Sequence, residues 1–243
     1  MQVAVNGKRQ MEHKRMLIEE ACQKIKDMIF EQKLAPGQKL IYNDLSHAFD
    51  MSPTPVINAL YRLEHEGFVV SIPYKGFYVK NIDMQEAWDI FGIREALETY
   101  MVEQAILIAG PMDLESLEEK FHAHASYNPS VYDRQRFLLD SEFHLQLAAL
   151  SRNQKLAQQL AMTFEHFYIR FRFDDMELER MQTSAMEHRN IIDRIRNKDI
   201  QGAREAIHSH IQNARDHIIH CLSNNNVQTG RVGTLSVPTQ NAT

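Results

Sequence analysis

The sequence predicts a mainly α-helical chain: three short helices closed by a β-hairpin, then an antiparallel bundle of six helices. Three observations carry this. Apolar residues recur every three or four positions along most of the chain, as amphipathic helices require. β-rich runs are confined to the short stretch 68–80. Turn-forming Gly, Pro and Asn interrupt the helical pattern at short intervals, which suits antiparallel neighbours.

In the first part, Met16, Ile18, Ala21, Ile25, Met28 and Ile29 define a helix over 15–31 that stops at Leu34-Ala35-Pro36-Gly37. Lys39 to Ile41 reads as extended, and Asn43 is placed to cap a second short helix reaching Phe49. Ser52-Pro53 then reads as a cap followed by proline at the first helical position, opening a third helix that Gly67 ends. Phe68 to Ile72 and Phe77 to Lys80, joined by Pro73-Tyr74-Lys75-Gly76, form the hairpin. Helix, helix, helix, hairpin is a winged helix-turn-helix in outline, spanning 15–80 behind a flexible arm at 1–14.

Residues 81–83 read as the joint to the bundle. Its helices fall near 84–109, 113–125, 131–151, 154–181, 184–197 and 199–222. Breaks lie at Gly110-Pro111, Tyr127-Asn128-Pro129, Arg152-Asn153 and Asn197-Lys198. Ser223 to Thr243 has no period and a polar composition, so it is expected to be disordered.

Composition narrows the function. The 243 residues are 44% hydrophobic and 24% charged, ordinary for a globular protein. No apolar run approaches the roughly 20 residues that cross a bilayer, so no membrane role is expected. Cys22 and Cys221 are the only cysteines, which supports neither a disulfide framework nor a thiolate zinc site. Met1 to Gln10 has no apolar core of signal-peptide length, and a cytoplasmic location is expected. Net charge is uneven: 11 basic and 9 acidic residues through Lys80 give +2, leaving 27 − 11 = 16 basic and 32 − 9 = 23 acidic, or −7, beyond it. Only the first third suits a polyanion.

On the third helix Val56, Ala59, Leu60 and Leu63 share the inward face. Asn58, Tyr61 and His65 point away, flanked by Ile57 and Arg62. In a helix-turn-helix this helix enters the major groove, where asparagine can read adenine and arginine can grip phosphate. On these residues alone a solvated helix face is the plainer reading. However, the stretch from Leu34 to Val79 resembles the DNA-binding domain of the GntR superfamily of bacterial transcription regulators. Pro36-Gly37, Leu40, Leu45, Ser52, Thr54-Pro55-Val56, Ala59-Leu60, Leu63, Glu66-Gly67 and Gly76-Phe77 stand in that family's order and spacing. The resemblance implies a double-stranded DNA operator contacted by Ser52, Thr54, Ile57, Asn58, Tyr61 and Arg62, with Lys75 and Gly76 at the wing tip. Pro53 and Ile57 stand where the family usually has arginine, and Asn58 where it has glutamate, so a different operator is expected.

Beyond the hairpin, Asp140 and His144 lie four apart on a stripe with Phe137, Leu147 and Ala148. His188 sits among Ile191, Ile192 and Ile195, and His210 aligns with Ala203, Ala206, Ile207 and Ala214. A lone inward histidine is usually a core residue with one hydrogen bond. Three imidazoles with one carboxylate, all aimed inward, are harder to bury uncompensated, and a divalent metal would compensate them together. His122, His124 and His220 carry no such inward argument, and His208 projects away.

This constellation resembles the FadR-like branch of the same family, whose helical effector domain is called FCD; the helix count looks like its shorter VanR-type subgroup. Asp140-Ser141-Glu142-Phe143-His144 matches its D-x3-H motif, Glu187-His188 its second histidine and Ala203 to His210 its last. The resemblance implies a metal, commonly zinc or nickel, held by Asp140, His144, His188 and His210, and a small organic acid beside it. Arg94, centred in a stripe of Ile90, Phe91, Leu97, Met101 and Ala105, is the candidate for the acid's carboxylate. Glu98, one turn on, is its rival partner. The expected protein is thus a homodimeric, effector-controlled transcription regulator and not an enzyme. A metal-dependent hydrolase or oxygenase and a pure metal sensor are the alternatives.

Overall fold

Ala21, Cys22, Ile25 and Ile29 form one buried stripe on α1 (Gln2–Phe30), packed against Ala59, Leu60 and Leu63 of α3 (Pro53–His65). The computed structural model describes residues 2–131, 133–171, 176 and 179–228. Helix α1 continues back to Gln2, so most of the segment expected as a flexible arm is helical; apart from Gly7 it contains no residue that strongly opposes a helix. Between α1 and α3 lie β1 (Lys39–Leu40) and α2 (Tyr42–Phe49). The cap of α2 is Ile41 rather than Asn43, which falls inside the first turn.

Ser52-Pro53 opens α3 as expected, with Ser52 extended and Pro53 at its head. Gly67 closes it at φ +83°, donating its N–H to Glu64 O while Phe68 N–H reaches back to Leu63 O at 2.9 Å. That paired ending needs a left-handed residue, hence glycine. The chain then forms β2 (Val69–Ile72) and β3 (Gly76–Val79). All three strands pair antiparallel in the order β1-β3-β2, with Leu40 opposite Phe77 and Val70 opposite Tyr78. Phe68, Phe77 and Val79 turn inward onto α1 and α3, each buried side chain contributing about 1.5–3 kcal/mol.

The remaining helices are α4 (Met84–Ile108), α5 (Pro111–Ser126), α6 (Arg134–Leu150), α7 (Gln154–Arg170), α8 (Glu179–Arg196) and α9 (Ile200–Gln228). Side-chain caps begin three of them: Asp83 accepts from Glu86 N–H, Asp133 from Arg136 N–H and Asn153 from Leu156 N–H. The expected helix 154–181 is instead interrupted. Helix α7 ends at Arg170, with Phe171 extended and buried, and α8 starts at Glu179. Periodicity hid this break because Phe167 and Phe171 keep the apolar spacing across it. Residues 223–228, expected as disordered tail, extend α9, and 229–243 lie outside the described residues.

A second apolar cluster fills the bundle, centred on Met101, Leu117, Phe143, Leu147, Leu160 and Ile191. The two clusters meet at α7. Ile169 belongs to the winged-helix core, the His166 ring stacks on Phe68 at 4.6 Å, and Lys26 bridges Glu66 at 3.0 Å and Glu165 at 2.9 Å. Phe164 and Phe167 of the same helix face the bundle core. Among the described residues, no helix is long and apolar enough to cross a membrane.

Candidate metal centre and DNA-reading surface

Three helices bring the four sequence-selected groups together. Asp140 and His144 come from α6, His188 from α8 and His210 from α9, and one donor atom of each lies within 4.8 Å of all the others. His144 Nε2 is 3.0 Å from His210 Nε2, which is 3.3 Å from His188 Nε2. Asp140 Oδ1 stands 3.5 Å from His188 Nε2, and Oδ2 stands 3.8 Å from His144 Nε2. Ligands about 2.1 Å from one ion at angles of 90–109° are about 3.0–3.4 Å apart, so these separations are near the edges of a coordination polyhedron. The three rings are buried and Asp140 nearly so.

At His188, His210 and Asp140 electrostatics favour the protonation states that such a centre needs, neutral imidazoles and an ionised carboxyl. Burial lowers His210 to about 4 despite the opposing hydrogen bond it donates to Glu187, and burial likewise holds His188 well below its ordinary value. Burial opposes ionisation of Asp140, but His144, His124 and His210 outweigh it and depress its carboxyl below the usual range.

Two outer carboxylates flank the rings. His144 Nδ1 lies 2.5 Å from Glu98 Oε2, and His210 Nδ1 lies 2.7 Å from Glu187 Oε2. The Glu187 contact places the His210 Nδ1 proton outward and leaves its Nε2 lone pair facing the cluster, whereas His144 Nδ1 and Glu98 Oε2 approach closely without hydrogen-bond geometry. Glu98 accepts from Arg94 Nε at 2.8 Å, and Glu187 from Asn213 and from Arg180, both at 2.8 Å. Burial works against the Glu98 charge, yet Arg94 and His144 hold the carboxyl down at about 2. His188 stacks on Phe143 at 4.0 Å.

Arg94 therefore has Glu98, its expected rival partner, as its protein counter-ion. Its Nη2 is nonetheless buried without a hydrogen-bond partner, its guanidinium lies 4.5 Å from the Phe164 ring centre, and it lines a pocket together with Asp140.

Sequence reasoning passed over His124. It is buried on α5, with Nε2 3.5 Å from Asp140 Oδ1 and its ring 4.7 Å from that of His188. A signal existed: His124 follows buried Phe121 by three residues and buried Leu117 by seven, one helix face. Glu187, Arg180 and Arg136 were also missed as functional neighbours.

The face of α3 expected to meet DNA is exposed mostly as the helical wheel predicts. Ser52, Thr54, Tyr61 and Arg62 are exposed on α3 or its cap, Ile57 and Asn58 are half-buried, and Lys75 and Gly76 sit exposed at the wing. Asn58 Nδ2 donates to Thr54 O at 2.9 Å, and Tyr61 packs edge-on to Phe77. Arg62 is engaged with Glu19 of α1 and with Glu66 at 2.8 Å, so its charge is already opposed by two carboxylates.

A winged helix-turn-helix ahead of an all-helical bundle with an interior His/Asp cluster defines a class, the DNA-binding transcription regulators built from these two modules. Family comparison specifies it. The FCD domain matches residues 89–213, and the gntR family of bacterial regulatory proteins matches residues 17–79. This chain belongs to the GntR family, in its FCD-bearing branch. It is 25% identical over 199 residues to the HTH-type transcriptional regulator YdhC of Bacillus subtilis, covering 82% of this chain and 89% of the relative. To the Nta operon transcriptional regulator of Aminobacter aminovorans it is 27% identical over 188 residues, 77% of this chain and 87% of that one. Among solved structures, Escherichia coli McbR/YncC superposes with a TM-score of 0.68 at 20% identity, covering 84% of this chain and 97% of that protein. The matched family and both curated relatives are transcription regulators, which sets the enzyme alternative aside.

Proposed function

We propose that the helical domain takes a divalent cation at Asp140, His144, His188 and His210 and a small organic acid beside it, and that the acid sets the DNA affinity of the winged helix. The carrying observation is the convergence of those four donors from three helices. Three imidazoles with one carboxylate suit zinc or nickel, and four protein ligands leave positions for an acid's oxygens on an ion that accepts five or six. When bound, the cation supplies a positive centre that attracts a carboxylate. Arg94 lies alongside Asp140, where it would take the acid's remaining oxygen by a charge-assisted bond.

Helix α7 supports coupling to DNA. Phe164 touches Arg94 and lies beside His144, while Glu165, His166 and Ile169 contact the winged helix. The acid acts only as far as it favours one arrangement of α7 over another. We read Ser52, Thr54, Ile57, Asn58, Tyr61, Lys75 and Gly76 as the DNA contacts, with Arg62 joining them once released from Glu19. The protein works as a cytoplasmic homodimer on a two-fold operator. Exposed Ile93, Tyr100 and Leu107 recur every seven residues along α4, a seam suited to pairing with a second copy.

The test is metal analysis of the purified protein, followed by gel shifts on its operator with and without a panel of carboxylic acids. One equivalent of metal per chain and an acid-dependent shift are expected. A DNA response to metal alone would favour a pure metal sensor, and no metal in protein prepared without chelator would overturn the reading.

A further inference from the structure

We infer that the helical stretch ahead of the winged helix, residues 8–15 of α1, is a second DNA-binding surface that grips the phosphate backbone whatever the sequence. The inference rests on the reading of the head of α3 as the DNA-reading end, and its test keeps the two apart.

Charge singles the stretch out. Lys8, Arg9, Lys14 and Arg15 against Glu12 give it +3. Of the 11 basic and 9 acidic residues through Lys80, this leaves 11 − 4 = 7 basic and 9 − 1 = 8 acidic for residues 16–80, or −1. The segment that matches the gntR family begins only at residue 17, so the winged helix proper has no positive balance of its own. Affinity for DNA comes largely from cations that displace the counterions of phosphate. Many cations of the winged helix are already engaged. Lys24 pairs with Glu20, Lys26 with Glu66 and Glu165, Lys33 with Glu31 and Lys80 with Glu86. Arg62, the one Lys or Arg of α3, holds Glu19 and Glu66. Lys14 and Arg15, by contrast, are exposed and, among the described residues, paired with no carboxylate. Residues 11–16 are all exposed, so core packing does not account for this part of α1.

Packing gives the stretch its direction. The C-terminal ends of α1 and α3 both abut α7: the Phe30 ring lies 4.4 Å from that of Tyr168, and Phe68, just past α3, stacks on His166 at 4.6 Å. Both helices therefore lead away from the bundle toward their N-terminal ends, and in α3 that end meets base edges. They touch where the Cys22 thiol donates to Ala59 O. From there α3 runs about 9 Å on to Pro53, whereas α1 runs about 21 Å on to Lys8, at 1.5 Å per residue. Helix α1 thus overhangs the DNA-reading end. Positions 8, 12, 15 and 19 share one of its faces, and on that face Glu19 meets Arg62 of α3. Arg15 stands one turn beyond this contact.

The experiment is fluorescence anisotropy of the full chain on two duplexes of equal length, one carrying the site selected from a random pool and one unrelated, between 50 and 200 mM salt. Glutamine at positions 8, 9, 14 and 15 together removes the charges at nearly constant helix propensity. This variant should bind both duplexes more weakly by the same factor, because phosphate contacts carry no sequence information. If two phosphate contacts are lost, the wild type should give up roughly tenfold more affinity than the variant across that salt range. Exchanging Lys for Arg and Arg for Lys at the same four positions keeps the charge and should restore both affinity and salt response. An identical salt response in wild type and glutamine variant, the result expected if the stretch instead meets an acidic protein surface, would overturn the inference, as would a loss confined to the selected site. Asn58→Ala tests the reading of α3 separately, since it should lower binding to the selected site and spare the unrelated duplex. That outcome beside an unchanged glutamine variant strikes this inference alone.

Discussion

Arg170, buried at the end of α7, forks onto Glu86 in the first turn of α4, with Nη2 2.6 Å from Oε1 and Nη1 3.1 Å from Oε2. Its Nε also donates to His166 O, so the charge is held from two sides. The pair ties the helix that carries Phe164 to the chain segment that leaves the wing.

Removing Glu86 strands a buried guanidinium. Breaking a fully buried pair costs about 3–5 kcal/mol, and because Glu86 keeps some solvent contact we expect about 2–3 kcal/mol from Glu86→Ala. Urea unfolding should show it, with Glu86→Gln losing less because an amide oxygen still accepts. A loss under about 0.5 kcal/mol would mean the fork adds nothing to stability.

Glu187 orients His210 without being a ligand candidate itself. Replacing it with Gln should weaken zinc or nickel binding by about 10–100-fold while the melting point of chelator-treated protein stays near that of the wild type. Competition titration against a chromophoric chelator separates the two effects. Unchanged affinity would leave Glu187 a surface partner of Arg180 and Asn213 only.

How far the sequence reveals such a site depends on which face a residue occupies. Asp140, His144, His188 and His210 each stand in the middle of an apolar stripe, where helical periodicity alone exposes an anomalous polar group. Glu187 and Arg180 sit at the edge of the bundle, 21% and 10% exposed, and no periodic signal separates them from ordinary surface charge. His124 was legible by spacing yet obscured by the exposed His122 two residues away. The winged helix was readable almost throughout because caps, glycines and hairpin runs punctuate it. The end of α7 was not, since tertiary packing of Phe171 decides it and no local breaker marks it.

His166 gives the contact between the two cores a pH dependence with a definite sign. Burial lowers its imidazole below the ordinary 6.5, Arg170 and Lys26 push the same way, and Glu165 and Glu86 oppose them. The native state thus binds fewer protons at this site than the unfolded chain. Its contribution is complete above about pH 6.5 and is lost as pH falls through the folded value. The melting-point gap between wild type and His166→Gln should therefore be larger at pH 7.5 than at pH 5.5. An equal gap at both would show that the stacked ring does not titrate differently from the unfolded chain.

Pro53, Ile57 and Asn58 should direct the operator away from guanine. Arginine paired with guanine supplies about 1–3 kcal/mol of discrimination per contact, and neither position 53 nor 57 can make it. Ile57 offers an apolar surface to a thymine methyl group. Asn58 already spends one of its two amide protons on Thr54 O, leaving the other and Oδ1 to read adenine. Selection from a random DNA pool should return A/T-anchored half-sites, and Asn58→Ala should relax the preference for adenine. Enrichment of guanine-anchored half-sites would refute this assignment.

The Arg62–Glu19 pair limits how strongly α3 grips the DNA backbone. Arg62 lies in a stretch whose net charge through Lys80 is only +2, yet it faces both Glu19 and Glu66. An exposed ion pair is worth about 0–1 kcal/mol, a barrier that phosphate can overcome but that still subtracts from affinity. Glu19→Gln removes the intramolecular competitor from α1 and leaves α3 itself unchanged. At low salt the variant should bind operator and unrelated DNA two- to fivefold more tightly, an estimate scaled from that pair energy, with a steeper salt dependence as about one more phosphate is neutralised. Fluorescence anisotropy across a salt series measures both quantities, and a slope identical to the wild type would place Arg62 away from the phosphates.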